Sequence, residues 1–205
     1  MAVKKLPTIK ARRSNADISA DTKAAILVAT IASLAESGYA GTTLSGIAQR
    51  VGVSRAALLY HFDCKHTLMT AVINQIYDEM SALYRAAAHA SLTRQEQLIA
   101  VLDASFKLTS SVSQMAQIEL LLAARRDPEF RLMVAPTIAA RDRAFEQAWH
   151  DMTQGTRGGA ERLDLIRDFS VSVFRGMTVN RSLAASSPSF DRQLLILRKL
   201  LLDAL

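Results

Sequence analysis

The sequence predicts an all-α protein with a small N-terminal unit of three helices and a larger helical bundle behind it. Half of the 205 residues are apolar, which is enough to bury a substantial core. Glycine and proline are scarce, with 8 and 4 residues, and runs of β-branched residues are few. Apolar side chains recur three or four positions apart along most of the chain, which is the spacing of one helix face. The length suits one large domain or two small ones.

The chain opens with a polar, basic segment, residues 1–20, that we expect to be a flexible arm. Such an arm either contacts a polyanion or is a solvated tail, and the composition leaves both open. A first helix is expected from Asp21 to Ser37, followed by Gly38 in the position that favours glycine. Its predicted apolar stripe consists of Ala24, Leu27, Val28, Ile31, Leu34 and Ala35.

Residues 42–65, TTLSGIAQRVGVSRAALLYHFDCK, predict two short helices joined by a tight turn, a helix-turn-helix. The first helix begins at Thr42-Thr43 and Ser54 caps the second, because these side chains accept hydrogen bonds from free backbone N–H groups. Gly52 takes the turn, where a residue without Cβ tolerates a left-handed conformation. The side chains expected to face inward are Leu44, Ile47, Ala48, Val51, Leu58 and Phe62.

A long helix from Lys65 to about Ala88 is expected to join this unit to the rest of the chain as a rigid rod. Pro136 is expected to kink or interrupt the helix that contains it. The helices predicted beyond Ala88 lie near 93–111, 114–125, 127–152, 160–185 and 189–204.

The positive charge is concentrated at the N-terminal end. Residues 1–66 hold nine Lys or Arg and four Asp or Glu, so they carry +5 of the total net charge of +6. A polyanion partner needs this surplus beside the helix-turn-helix.

A single cysteine, Cys64, excludes an intramolecular disulfide framework and agrees with a cytoplasmic protein. The apolar part of the first helix is interpreted as buried rather than as a signal peptide or membrane span, because acidic residues separate it from Arg12-Arg13. His61, Cys64 and His66 have spacings possible for zinc, but the sequence offers only Asp63 as a fourth ligand. We therefore expect no metal and no cofactor.

The dense series of motifs from residue 24 to residue 73 resembles the N-terminal domain of the TetR/AcrR family of bacterial transcriptional regulators. The residues that carry the resemblance are Gly38-Tyr39, Thr42-Thr43, Ile47-Ala48, Gly52-Val53-Ser54, Tyr60-His61-Phe62 and Lys65. The resemblance implies an all-helical homodimer with a DNA-binding domain at 21–66. It also implies an effector-binding and dimerisation domain at 67–205.

Carried over position by position, the resemblance implies three groups of DNA contacts. Thr43, at the start of the first motif helix, corresponds to a phosphate contact. Ser54, Arg55 and Ala56 open the recognition helix, where Arg55 reads a guanine or contacts a phosphate. The remaining phosphate contacts are Tyr60, His61 and Lys65. Ala56 and Leu59 depart from the commoner family pattern, which has glycine and tyrosine there.

The resemblance places the dimer interface in the last two helices, near 160–185 and 189–204. Their apolar sides, which otherwise form an internal core, carry Leu163, Ile166, Ser170, Val173, Phe174, Met177, Phe190, Leu194, Leu197, Leu200 and Leu201. Gly176 and Ala184 allow close approach. An effector pocket is expected among the helices from 65 to 185. Glu119 either is buried there, which favours a cationic or hydroxyl-bearing ligand, or faces solvent, and the sequence leaves both open. The candidate walls, which also suit ordinary core, are Met80, Tyr84, Phe106, Met115, Glu119, Phe145, Trp149 and Phe174.

These observations predict a repressor that binds a palindromic double-stranded DNA operator as a dimer and is released by an unknown small molecule. A DNA-binding regulator controlled by a protein partner is the first alternative. A helical-bundle enzyme is the second, and it lacks support because no histidine has a nucleophile partner in the sequence.

Overall fold

The computed structural model describes residues 14–89, 92–155, 160–183 and 188–205. Within these ranges the chain is helical and contains no strand, which confirms the predicted all-α fold. The helices are α1 Asn15–Gly41, α2 Leu44–Val51, α3 Arg55–His61, α4 Lys65–Ala87, α5 Arg94–Leu108, α6 Val112–Arg126, α7 Pro128–Thr153, α8 Ala160–Leu183 and α9 Pro188–Leu202.

Helix α1 begins six residues earlier than predicted. Ser14 caps it, since its hydroxyl accepts from the Asp17 N–H and the Asp17 carboxylate accepts from the Ser14 N–H. Residues 14–20 are therefore an ordered helix start rather than part of an arm. The rest of the proposed arm, residues 1–13, lies outside the described residues.

The buried face of α1 also differs from the predicted stripe. Ala24 and Val28 are exposed, Val28 by 63% of its surface. Apolar residues occur all around this helix, so periodicity could not select the face that packs inward. The residues that are buried are Ile26, Thr30, Ile31 and Leu34.

Helix α1 is long and apolar enough to cross a membrane by length and composition alone, with 33% of the tested window buried. In the fold it packs against α2, α4 and α6. These contacts are those of a core helix in a helical domain.

The hydrophobic core of the N-terminal unit continues into the larger bundle. Buried residues of α1, α2 and α3 form one cluster with residues of α4, α6 and α7. The long helix α4 supplies the centre of this cluster through Leu68, Val72 and Ile76. The three-helix unit is thus anchored by packing rather than joined through a loose linker.

A second cluster holds α5, α7, α8 and α9 together. It contains most of the side chains that were predicted to face a partner subunit, so that part of the prediction is wrong: these residues form an internal core. Val173 packs against this core, and Leu200 is 37% exposed. Of the side chains predicted to face a partner subunit, those that are buried are Leu163, Ile166, Ser170, Phe174, Met177, Phe190, Leu194, Leu197 and Leu201.

Pro136 lies inside α7 and does not interrupt it. Proline removes one helical N–H, which leaves the carbonyl of Leu132 without its usual partner. Both Pro136 and Leu132 lie on the exposed side of the helix, where water can hydrate that carbonyl. The exposed position explains why the helix continues through the proline.

Gly38 bends the end of α1 with φ 68° and ψ 178°, a conformation that is essentially restricted to glycine. A Cβ atom there would lie 2.9 Å from Oε2 of Glu119 on α6. Gly38→Ala should therefore lower the free energy of unfolding by about 1–3 kcal/mol from strain alone, with a further loss if Glu119 has to move. Chemical denaturation of the variant measures this loss.

Gly52→Ala is the matched control for this prediction. Gly52 has φ 77° and ψ 28°, a left-handed conformation that costs alanine about 1–2 kcal/mol, but no atom would meet its Cβ within 4 Å. Equal losses for the two variants would show that the contact with Glu119 does not matter.

Candidate nucleic-acid interface and internal cavity

Local hydrogen bonds fix the two motif helices at the predicted positions. The Thr43 hydroxyl accepts from the Gly46 N–H at 3.1 Å and caps α2. Gly52 ends α2 in the left-handed region. The Ser54 hydroxyl accepts from the Ala57 N–H at 3.0 Å and caps α3. These contacts confirm the helix-turn-helix that the sequence predicted.

The inner side of the motif is closely packed. Ile47 and Ala48 of α2 and Leu58 and Phe62 at the end of α3 are at most 3% exposed. The small side chain of Ala48 lets α3 approach α2 closely, which sets the angle between the helices. The Arg50 guanidinium also lies 2.7 Å from the Glu36 carboxylate on α1, an exposed pair that adds little stability.

The outer side of α3 presents the predicted base-reading and phosphate-binding residues. Ser54, Arg55 and Ala56 are exposed at its N-terminal end. Tyr60 is 84% exposed, and its ring contacts the half-buried His61 edge to face at 5.4 Å. Four of these five side chains are therefore exposed to solvent, and that of His61 is half-buried.

Thr43 and Lys65 lie at the helix starts on either side of α3. Thr43 is exposed at the N-terminus of α2, where backbone N–H groups favour an anion. The Lys65 ammonium is half-buried: it donates to the Tyr39 carbonyl at 2.6 Å and lies 4.0 Å from the centre of the Tyr39 ring. Burial lowers the pKa of Lys65. Lys65 is therefore a cation held in place by α1, which sequence reasoning did not foresee.

The residues of the possible zinc cluster have other contacts. The Cys64 thiol lies 3.2 Å from the Thr67 hydroxyl, and His66 Nε2 lies 3.1 Å from the Asp127 carboxylate. Across the described ranges, no three His, Cys, Asp or Glu side chains are arranged to hold a metal ion.

A cavity of about 1120 Å³ lies among α4 to α8. Five of the eight predicted wall residues line it: Met80, Tyr84, Phe145, Trp149 and Phe174. About half of the lining residues are aliphatic or aromatic, and the rest are polar or charged, among them Arg85, Asp142, Arg167 and Arg175. An apolar pocket with polar groups in its wall is the character of a small-molecule site.

The other three predicted wall residues do not line this cavity. Phe106 packs behind it, with its ring 6.3 Å from that of Phe174. Met115 is half-buried on α6. Glu119 lies beside α1, where it accepts from the Tyr39 N–H at 3.4 Å. A ligand choice based on a buried Glu119 therefore has no support from its position.

Sequence reasoning missed several polar groups of the cavity wall. The Tyr77 hydroxyl donates to Asp142 at 3.0 Å, and burial together with Asp142 raises the pKa of Tyr77. The Ser105 hydroxyl lies 3.2 Å from the Tyr84 hydroxyl. The sequence did contain a signal for Tyr77. It lies seven residues before Tyr84, and this spacing places the two side chains on the same face of a helix. The sequence contained no such signal for Asp142, because an acidic residue in a polar stretch of helix ordinarily faces solvent.

Known proteins match most clearly where the helix-turn-helix lies. A family model described as bacterial regulatory proteins, tetR family, matches residues 26–72. The transcriptional regulator RutR of Escherichia coli K12 is 45% identical over 67 residues, which cover 33% of this chain and 31% of RutR. The regulator CymR of Pseudomonas putida is 29% identical over 140 residues, which cover 67% of this chain and 68% of CymR.

Solved structures match the fold over most of the chain. A transcriptional regulator from Rhodococcus sp. Rha1 superimposes with a TM-score of 0.71 at 18% identity, covering 89% of this chain and 95% of that one. A transcriptional regulator from Pseudomonas aeruginosa PAO1 gives 0.68 at 20% identity, covering 87% of both chains.

The exposed recognition helix, the helical bundle behind it and these matches define a helix-turn-helix protein that binds DNA and regulates transcription. The family model and the named regulators show which family of helix-turn-helix regulators this protein resembles. The helix-turn-helix domain, residues 26–72, belongs to the TetR family of bacterial regulatory proteins.

Proposed function

We propose that this regulator is a cytoplasmic repressor that binds a palindromic operator as a homodimer and is released by a small molecule. The observation that carries the proposal is the coexistence of an exposed recognition helix and a large cavity that share α4. Helix α4 starts beside α3, and Tyr77, Met80 and Tyr84 from its second half line the cavity. The same helix therefore contacts both binding sites.

The DNA-binding step rests on the surface of α3. In this proposal Ser54, Arg55 and Ala56 meet base edges in the major groove, and Arg55 donates both branches of its guanidinium to a guanine. The phosphate contacts are made by Thr43, Tyr60, His61 and Lys65. A dimer presents two such helices about 34–36 Å apart, one turn of the duplex.

The proposed dimer uses the outer faces of α8 and α9 instead of the buried faces. Along α8, residues 165, 169, 172, 176, 179 and 183 alternate in steps of four and three, the spacing of a coiled-coil seam. Leu165 is 64% exposed, Phe169 53% and Leu183 85%, while Gly176 has open space beside it. On α9, Leu195 and Ile196 are also exposed. In the proposed dimer, α8 and α9 of one subunit pack against α8 and α9 of the other, and the resulting four-helix bundle buries these apolar surfaces.

The effector in this proposal has an apolar ring that packs against the aromatic walls and polar groups that meet the polar part of the lining, which includes Arg85, Asp142 and Arg175. The cavity favours control by a small molecule over control by a protein partner, because its volume of about 1120 Å³ suits a ligand of ordinary metabolite size. Binding shifts the dimer population towards a form whose recognition helices are out of register. A coupling free energy of about 1–3 kcal/mol, or roughly 5–150-fold in affinity, is sufficient.

The test of DNA binding is selection of bound genomic fragments by the purified protein, followed by affinity measurements on the selected operator. Arg55→Ala should weaken operator binding by about 1–3 kcal/mol and relax the preference at one base position of each half-site. Lys107→Ala is the control, since it removes a positive charge from an exposed position on α5.

Two results would contradict this reading of α3. If Arg55→Ala lost the same binding free energy on the operator and on an unrelated duplex, Arg55 would contact a phosphate and not a base. Binding without sequence preference at any salt concentration would exclude a specific repressor.

The dimer is tested by placing a charge in the proposed seam. Leu195→Asp should convert the dimer to a monomer, because burying an unpaired carboxylate in an apolar interface is unfavourable. Analytical ultracentrifugation measures the change. Leu132→Asp is the control, since Leu132 is 75% exposed on α7, outside the seam. Dissociation by both variants, or by neither, would contradict the proposed interface.

The effector site is tested by reducing the cavity. Ser105→Leu adds an apolar side chain to the cavity wall and should lower the affinity of a releasing compound by tenfold or more, about 1.4 kcal/mol. Calorimetric titration measures this affinity, and Ser110→Leu, exposed in the turn after α5, is the control. Unchanged binding to Ser105→Leu would show that the compound binds elsewhere.

A further inference from the structure

We propose that Glu119 is a positioning residue for DNA binding: from α6 its carboxylate holds the bent end of α1, and that end holds Lys65 at the start of α4. This inference rests on the proposed function, since it concerns how the effector domain orients the helix-turn-helix. It assigns Glu119 a role that does not require contact with the ligand.

The first step is the contact between Glu119 and the end of α1. The glycine conformation at Gly38 breaks the helix and turns the Tyr39 N–H outward, where the Glu119 carboxylate accepts it at 3.4 Å. The missing side chain of Gly38 leaves room for this carboxylate, as a Cβ would lie 2.9 Å from Oε2. A charged acceptor on α6 thus satisfies a backbone donor that the bend would otherwise leave unpaired.

The second step is the contact between Tyr39 and the start of α4. The Tyr39 carbonyl accepts from the Lys65 ammonium at 2.6 Å, and the Tyr39 ring lies under the same ammonium. The other face of this junction is apolar: the rings of Tyr39 and Phe130 stack at 5.3 Å, and His66 lies 5.4 Å from Phe130. Tyr39 therefore contacts α4 and α7, and through its N–H it contacts α6.

The third step connects the junction with the cavity. Gln114 and Gln117 of α6 line the cavity and are hydrogen-bonded to each other at 2.9 Å. Glu119 follows two residues later, about 200° further around the helix, and so points to the other side of α6. A ligand that displaces α6 from the cavity side moves the acceptor of the Tyr39 N–H. The result is a shift of the end of α1 and of Lys65 relative to the bundle.

The experiment compares Glu119→Ala and Glu119→Gln by hydrogen–deuterium exchange of the free, full-length protein. The glutamine carbonyl can still accept from the Tyr39 N–H, whereas alanine cannot. Glu119→Ala should increase amide exchange about tenfold around residues 38–44 and 62–68, leaving α8 and α9 unchanged. Glu119→Gln should retain the protection of the natural protein.

Glu79→Ala is the matched control for this exchange experiment. Glu79 is also an acid that crosses between helices, because it accepts from the Ser113 hydroxyl at 2.9 Å and joins α4 to α6. It lies away from the end of α1, so its loss should leave residues 38–44 protected. Exchange that rises throughout the chain in Glu119→Ala, or equally in Glu119→Gln, would overturn the proposal.

The second readout is binding to a selected operator and to an unrelated duplex. Glu119→Ala should lose about tenfold in operator affinity and less on the unrelated duplex, because the base-contacting residues and the Lys65 phosphate contact are intact but less well oriented. Full operator affinity in Glu119→Ala would overturn the positioning role even if exchange increased. The exchange result does not depend on an operator or an effector, so failure of the repressor proposal is recognised separately.

Discussion

A helix of seven residues is not stable by itself in water, and α3 is that short. Its structure depends on what surrounds it: the Ser54 cap at its start and the burial of Leu58 and Phe62 along its inner side. Those two side chains reach into a core that includes α1, α2 and the first half of α4. The outer surface of α3 can be polar and exposed only because its inner surface is fixed in this way.

The same core extends without a break into α6 and α7, which has a consequence for regulation. Tightly packed interiors transmit displacement, because side chains cannot move apart without losing contacts. A change near the cavity therefore acts on a connected body rather than on a unit attached by a flexible segment. Helices α4, α6 and α7 contribute to both the core and the cavity wall, so such a change would pass through these three elements.

The sequence was most informative where one residue type has one physical use. Thr43, Gly52 and Ser54 predicted the ends of α2 and α3 because caps and left-handed turns accept few residues. It was less informative where many apolar residues compete. In α1 it could not distinguish Val28 from Ile26, and in α8 it selected the core-facing Leu163 and Phe174 instead of the outer Leu165 and Phe169. Whether a side chain is buried depends on which other helices pack against its own helix, and the local sequence does not contain that information.

The cavity shows the same limit: aromatic residues predicted much of its wall, whereas Glu119 was assigned to it only because it follows an apolar run. The position of that acid depends on the bend at Gly38, eighty-one residues away in the chain. Long-range pairs of this kind need the fold before they can be recognised.

The chain has one tryptophan, and the fold places it in the cavity wall. Trp149 is 8% exposed, and its indole nitrogen has no hydrogen-bond partner among the described residues. The emission of an indole depends on its surroundings, and a molecule that enters the cavity would contact this ring and change its emission. Occupancy of the cavity can therefore be followed through the protein's own fluorescence, and a screen for compounds that bind there requires no attached dye.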